Sequence, residues 1–238
     1  MKLIKELSIY QLAFMPSLFP VNCYLVEEDE GLTLVDAGLP FCFKAILQTA
    51  IQIGRPITRI VLTHAHEDHV GAVDKLKELM PDVPVYLSKR DARLLEGDLS
   101  LDPSEPQTKI KGGIASKLKT RPDFLIQEGD EIGSLIAVST PGHTPGSMSF
   151  FDKRNHVFLV GDAFQTKGGL AVAGKMQPFF PFPAWATWNK EEALRSAIKI
   201  QSYKPSLLAV GHGSMILNPE QAINVAILQA KINIQEAI

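Results

Sequence analysis

The chain has 238 residues, 45% of them apolar, and carries 24 lysines and arginines against 26 aspartates and glutamates. This apolar content excludes a disordered chain, and the near balance of charge leaves no whole-chain field to hold nucleic acid or an anionic membrane surface. A chain of this length buries a substantial core, and one compact domain over residues 1–238 is the simplest organisation.

Leu7 to Pro20 reads as a first strand and a loop. Glu6 and Gln11 interrupt it and no small-residue cleavage site follows, so it does not read as an export signal. No stretch approaches the roughly 18 uninterrupted apolar residues of a spanning helix. Cys23, in the run Val21–Val26, and Cys42, at an apolar helix start, read as buried thiols rather than a zinc-thiolate site or a disulfide framework. A cytoplasmic protein is the expectation.

Leu32–Val35 predicts a strand, and Phe43–Ile53 predicts an amphipathic helix ending at Gly54. Arg59–Thr63 predicts the next strand. Beyond a histidine cluster, Val73, Leu76 and Met80 mark one helix face before Pro81, and Val83–Leu87 predicts another strand. From Gly97 to Asp123 the chain is polar and rich in Gly, Pro and Lys. It reads as a long loop that borders a site, with one short helix over Ile114–Leu118. Leu135–Ser139, Ser147–Phe151 and His156–Val160 predict strands close enough for antiparallel pairing. Asn189 with Glu192 makes a capping-box pattern ahead of one helix, and Asn218-Pro219 with Gln221 opens the last. The pattern is mixed α/β, with helices packed on sheets.

Three of the six histidines fall within His64-Ala65-His66-Glu67-Asp68-His69, where a strand ends and a helix is about to begin. His64 and His66, two apart on extended backbone, project the same way and can share one cation. Asp68 and His69 diverge from that pair and can serve a second cation about 3.5–4 Å away, as two-metal hydrolases require. Glu67 is expected to point elsewhere. Further ligands must come from other strand ends, where Gly142-His143, Gly161-Asp162 and Gly211-His212-Gly213 each close an apolar run. A glycine beside a ligand lets the backbone turn sharply there. His156 is left as a structural or surface residue.

In this order, His64-x-His66-x-Asp68-His69 followed by His143, Asp162 and His212 resembles the metallo-β-lactamase superfamily over nearly the whole chain. The resemblance implies an α/β four-layer αββα sandwich with a site at one edge between the sheets. It implies one metal on His64, His66 and His143, a second on Asp68, His69 and His212, and Asp162 bridging them. Asp36, in Leu34-Val35-Asp36-Ala37-Gly38, matches the aspartate that orients a ligand histidine through its other ring nitrogen. A plain turn aspartate before Gly38 is the alternative.

The chemistry expected of such a site is hydrolysis of an ester, thioester, lactone or amide of a small molecule. Two divalent cations, zinc first with iron or manganese as alternatives, lower the pKa of a shared water from about 15.7 toward 7 and so present a bridging hydroxide as nucleophile. Asp68 is the expected catalytic residue, holding the nucleophile and moving its proton toward the leaving group. The bridging Asp162 resembles glyoxalase II and the lactonases more than true β-lactamases. Only 26 residues follow His212, however, too few for the glutathione-binding extension of glyoxalase II, and Ala163-Phe164-Gln165 stands where the lactonases place a tyrosine.

The aromatic stretch from Gln177 to Trp188 reads either as the wall of an apolar pocket or as ordinary packing, a homodimer contact included. Lys167 and Lys175 read as solvated lysines or as partners of an anionic substrate group. Three rival functions remain. An iron-dependent persulfide dioxygenase would use His64, His143 and Asp162; a phosphodiesterase would keep the same metals; and a metal-stabilised binding module would not catalyse at all.

Overall fold

Successive strand residues face two different interiors, and this alternation builds the layers of the molecule. The computed structural model describes residues 1–236, so the last two residues of the expected domain, Ala237 and Ile238, lie outside the described residues. Seven strands form one sheet in chain order: β1 (Lys2–Glu6), β2 (Ile9–Phe14), β3 (Val21–Glu27), β4 (Leu32–Val35), β5 (Ile57–Val61), β6 (Val85–Ser88) and β7 (Phe124–Ile126). The first four pair antiparallel and β4 to β7 run parallel. Parallel neighbours need crossovers. They are made by α1 (Phe43–Ile53), then α2 (Glu67–Val70) with α3 (Val73–Leu79), then α4 (Lys89–Leu95) with the long loop behind it.

The second sheet contains β8 (Glu131–Ile132), β9 (Leu135–Ser139), β10 (Met148–Asp152) and β11 (Val157–Gly161), joined after a small β12 (Phe164–Gln165) and β13 (Ala171–Val172) ribbon by β14 (Leu207–Val210) and β15 (Ile216–Leu217). Its pairs are antiparallel except β11 with β14, whose crossover carries α5 (Phe182–Ala186) and α6 (Lys190–Ser202). α7 (Glu220–Gln235) ends the described chain.

Leu25, Leu34 and Ile60 pack outward against Ile46 of α1 and Leu76 of α3, while Tyr24, Val26, Val35 and Val61 turn inward onto Phe150, Leu159 and Ala209 of the second sheet. On its other face that sheet presents Phe158, Val160 and Leu208 to Ala197 of α6 and Ile223 of α7. Three apolar layers therefore separate four structural ones, and the fold is the four-layer αββα sandwich that the resemblance implies. Each fully buried Leu, Ile or Phe in these layers contributes roughly 1.5–3 kcal/mol. Among the described residues, no helix is long and apolar enough to cross a membrane.

α1 and its end at Gly54 fall where the periodicity puts them. Asn189 Oδ1 accepts the Glu192 amide at 2.9 Å, capping α6, although the Glu192 carboxylate pairs with Arg195 instead of closing the box. The strand expected within Leu7–Pro20 is β2, and a further strand that the sequence reading did not include, β1, precedes it across a turn with Leu7 at φ +50°. The expected strand at Arg59–Thr63 lies two residues earlier, because the Thr63 amide leaves the sheet for the Asp36 carboxylate. Ile114–Leu118 is not helical: Ile114 bridges to His66 and the Ala115 amide bonds the Ala65 carbonyl, so tertiary pairing takes the groups a helix would have used.

Candidate metal centre

The site lies on the rim where the two sheets meet. His64 follows the end of β5, His143 follows β9, Asp162 follows β11 and His212 follows β14. Backbone bonds stitch the rim across the sheets: Met148 N donates to Thr63 O at 2.9 Å and Asn22 N to Gly211 O at 2.9 Å. Asp68 and His69 sit on α2, a single turn entered through His66 in an extended conformation (φ −79°, ψ 147°).

The seven expected ligands converge. Ligand atoms of His64, His66 and His143 lie within 4.8 Å of one another, as do those of Asp68, His69 and His212, and those of His64, His69 and Asp162. Asp162 touches both of the first two groups. Its Oδ2 is 3.1 Å from His212 Nε2 and 3.3 Å from His143 Nε2, and its Oδ1 is 3.3 Å from His69 Nε2. All of these are buried except Asp68, whose side chain is 23% exposed and whose Oδ2 is 3.5 Å from His212 Nε2.

The opposite edge of each imidazole is anchored, which sets where its free nitrogen points. Asp36, itself in the left-handed region at φ +59°, accepts from His69 Nδ1 at 2.7 Å and from the Thr63 hydroxyl at 2.8 Å. Thr63 Oγ1 is in turn 2.9 Å from His64 Nδ1, so one carboxylate orients two histidines, one directly and one through a hydroxyl. His212 Nδ1 bonds the Pro20 carbonyl at 2.6 Å, His143 Nδ1 the Thr187 hydroxyl at 3.2 Å, and His66 Nε2 the Lys111 carbonyl at 3.2 Å. This leaves Nε2 of His64, His69, His143 and His212 and Nδ1 of His66 facing the centre.

Electrostatics divides the histidines into two sets. Burial, reinforced by neighbouring imidazoles, pulls His64 well below the ordinary histidine value, lowers His66, and brings His143 to about 3. Burial is the largest single influence on His69 and His212 and opposes their charge, but the carboxylates of Asp162 and Asp68, joined by Asp36 at His69, together outweigh it and both are raised. Asp162 is itself buried, yet His212 and His69 hold it well below the usual carboxylate range. Three neutral imidazoles and an anion among protonatable ones are the donor set that suits divalent cations. His64 Nε2, His69 Nε2 and Asp162 Oδ1 are buried without a hydrogen bond, which also fits metal donors.

Two glycines fit this cage closely. A Cβ on Gly211 would lie 2.1 Å from Asp162 Oδ1, and a Cβ on Gly112, at φ +90°, would lie 2.2 Å from His66 Nε2. Gly112 lies in the long loop, where Gly113 O also accepts the Glu67 amide at 2.8 Å. A cavity of about 400 Å³ opens above the ligands, with Phe19, Leu39, Phe182 and Trp185 on its wall. Part of the aromatic stretch thus lines the site, while Phe180 and Trp188 are buried. Glu67, expected to point away, also lines this cavity. His156 is exposed in a turn and packs edge-on against Phe151.

Asp91 is the functional neighbour that sequence reasoning missed. Fully buried on α4, its carboxylate accepts from Ala65 N at 3.0 Å, Thr144 Oγ1 at 2.7 Å and Gly146 N at 2.8 Å, tying the His64–His66 loop to the His143 loop. The only local signal is an acid in a helix first turn beginning at Ser88, whose hydroxyl caps the Asp91 amide.

Residues 16–212 match the family model described as the metallo-beta-lactamase superfamily. The chain is 52% identical to the uncharacterized protein YobT of Bacillus subtilis (strain 168), over 97% of its own length and 99% of that protein's. It is 32% identical to the probable metallo-hydrolase YflN of the same strain, over 81% of this chain and 80% of that one. Among solved structures, TTHA1623 in a di-iron-bound form is 30% identical, with a TM-score of 0.62 over 89% of this chain and 96% of the other.

Proposed function

This chain belongs to the metallo-β-lactamase superfamily and is a metal-dependent hydrolase; from that premise we propose that it binds two divalent cations and cleaves an ester, thioester or lactone bond of a small molecule. Asp162 carries the reading: a single buried carboxylate within 3.3 Å of His69 and His143 and 3.1 Å of His212, between two groups of three donors. His64, His66 and His143 would hold one cation and Asp68, His69 and His212 the other, with Asp162 shared. The di-iron form of TTHA1623 supports a count of two. Zinc is the first candidate, and imidazole with carboxylate suits iron or manganese as well.

Bound there, the cations would supply Lewis acidity and a water of lowered pKa. The chain's own residues do the rest. Asp68, the one partly exposed member of the three donor groups, lies on the cavity wall. As water adds to the acyl carbon, the Asp68 carboxylate takes its proton. As the bond to the leaving group breaks, the same carboxyl returns the proton to that group. Phe19, Phe182 and Trp185 shield the acyl chain from solvent, and Asp36 and Thr63 keep two of the imidazoles from rotating.

Elemental analysis of freshly purified protein, with hydrolysis of a thioester, a lactone and a phosphodiester, tests this. Near two metals per chain with acyl cleavage is the expected result. One iron per chain without hydrolysis would overturn it in favour of oxygenase chemistry, and cleavage of the phosphodiester alone in favour of a phosphodiesterase.

A further inference from the structure

We infer that the cavity selects acyl substrates whose distal end is neutral or cationic, and that Glu67 is the residue that sets this preference; the inference rests on the hydrolase reading above. The cavity wall divides by chemistry. Its floor is the ligand cage, and its outer part is apolar, built by Leu39, Phe19, Phe182 and Trp185. Among the described residues lining it there is no lysine or arginine. The carboxylates of Asp68 and Asp162 belong to the cage, where bound cations would more than offset their charge. Glu67 is the one charged side chain on the wall outside the cage.

Glu67 is held there by backbone and not by a side-chain partner. Its amide donates to Gly113 O at 2.8 Å, while its carboxylate is exposed and makes no hydrogen bond or ion pair among the described residues. The two lysines that the sequence offers as anion partners lie elsewhere. Lys167 Nζ bonds the carbonyls of Pro16 and Ser17, and Lys175 lines a separate depression with Gln177 and Gln221. Lys111 contributes its carbonyl oxygen to His66, and its side chain is not part of the wall.

Two large aromatics remain open to solvent at this mouth, Trp185 at 60% and Phe182 at 46% exposed. Exposed aromatic surface beside a cavity marks a place where a ligand's apolar body lies. An ammonium at the end of that body would lie in a cavity that offers it both an aromatic face, at Trp185, and a carboxylate, at Glu67. At the outer wall a carboxylate or phosphate would meet the like charge of Glu67 and no lysine or arginine, which at an exposed site discriminates by about tenfold.

The test uses the metal-replete protein and phenyl esters whose short acyl chains end in trimethylammonium, methyl or carboxylate. We expect kcat/KM for the cationic ester to exceed that for the anionic one by about tenfold. The ratio should fall to near unity in Glu67→Gln and invert in Glu67→Lys, with metal content unchanged. Preference for the anionic ester in the wild type, or a ratio that Glu67→Gln leaves unmoved, overturns the inference. If no phenyl ester is cleaved, the proposed reaction is judged on the thioester and the lactone. The charge preference is then decided by binding of the matching amides, read as fluorescence quenching against a Trp185→Phe baseline: tighter cationic binding upholds it, and equal or tighter anionic binding overturns it.

Discussion

Asp36 Oδ2 lies 2.7 Å from His69 Nδ1, and both side chains are almost completely buried. Because Asp36 also accepts the Thr63 hydroxyl that faces His64, its loss should be felt by donors of both proposed cation sites. Asp36→Asn is expected to keep the fold and weaken metal binding by about 10- to 100-fold, the usual cost of losing such a partner. Competition with a chromophoric chelator measures it, and unchanged affinity would remove Asp36 from the orienting role.

Asp68 is the partly exposed member of the cage, so its removal opens no deep cavity. Asp68→Ala should leave the urea midpoint within error of the wild type and lower kcat by about 100-fold or more, the range of a lost proton-transfer group. Turnover that persists at the wild-type rate would sink the proton-shuttle mechanism.

Gly112→Ala places a methyl group 2.2 Å from His66 Nε2, on backbone at φ +90°. His66 must then rotate or the loop must move. Metal affinity is expected to fall roughly tenfold or more, with global unfolding changed far less. Dialysis against limiting metal followed by elemental analysis resolves the two effects.

Burial raises the Asp91 carboxyl from 3.8 to about 6, against the pull of the Thr144 hydroxyl and the amides of Ala65 and Gly146. A carboxyl whose pKa is higher in the folded than in the unfolded state favours folding fully below about 4, and this contribution is lost as pH rises through about 6. Asp91→Asn lacks that titration. In chelator-treated protein, the stability of the wild type relative to the variant should therefore fall by on the order of 3 kcal/mol between pH 4 and pH 6 and stay level above. Urea titrations across that range measure it, and a flat difference would mean that Asp91 does not titrate there.

The residues that converge on the rim were legible because strand ends leave local marks. His64, His143, Asp162 and His212 each close an apolar run, and three of the four have a glycine immediately before them. The outer helices were legible where caps and periodicity agreed, as at Asn189 and Gly54. What supports the ligands was less so. Asp91 meets residues 26 and 53 positions away, and no spacing in Lys89-Arg90-Asp91 announces either partner. Thr63 reads as one more β-branched strand residue until its hydroxyl is found between Asp36 and His64. The Ile114–Leu118 segment has helical composition, but it spends its backbone groups on Ala65 and His66, a tertiary preference that local propensity does not encode.

His66 Nδ1 and His143 Nε2 are 3.0 Å apart in space and 77 residues apart in the chain, one belonging to each half of the sandwich. A cation gripped by both would work as a removable crosslink between two sheets, added to their packing and to the hydrogen bonds that cross between them, such as Tyr24 to Val210 and Ser134 to Glu28. Its withdrawal should act chiefly on the rate at which the halves come apart, since a site assembled from both halves completes only after they have met. Resistance to proteolysis would then follow metal supply, and a cell short of the metal would lose the protein itself along with its activity.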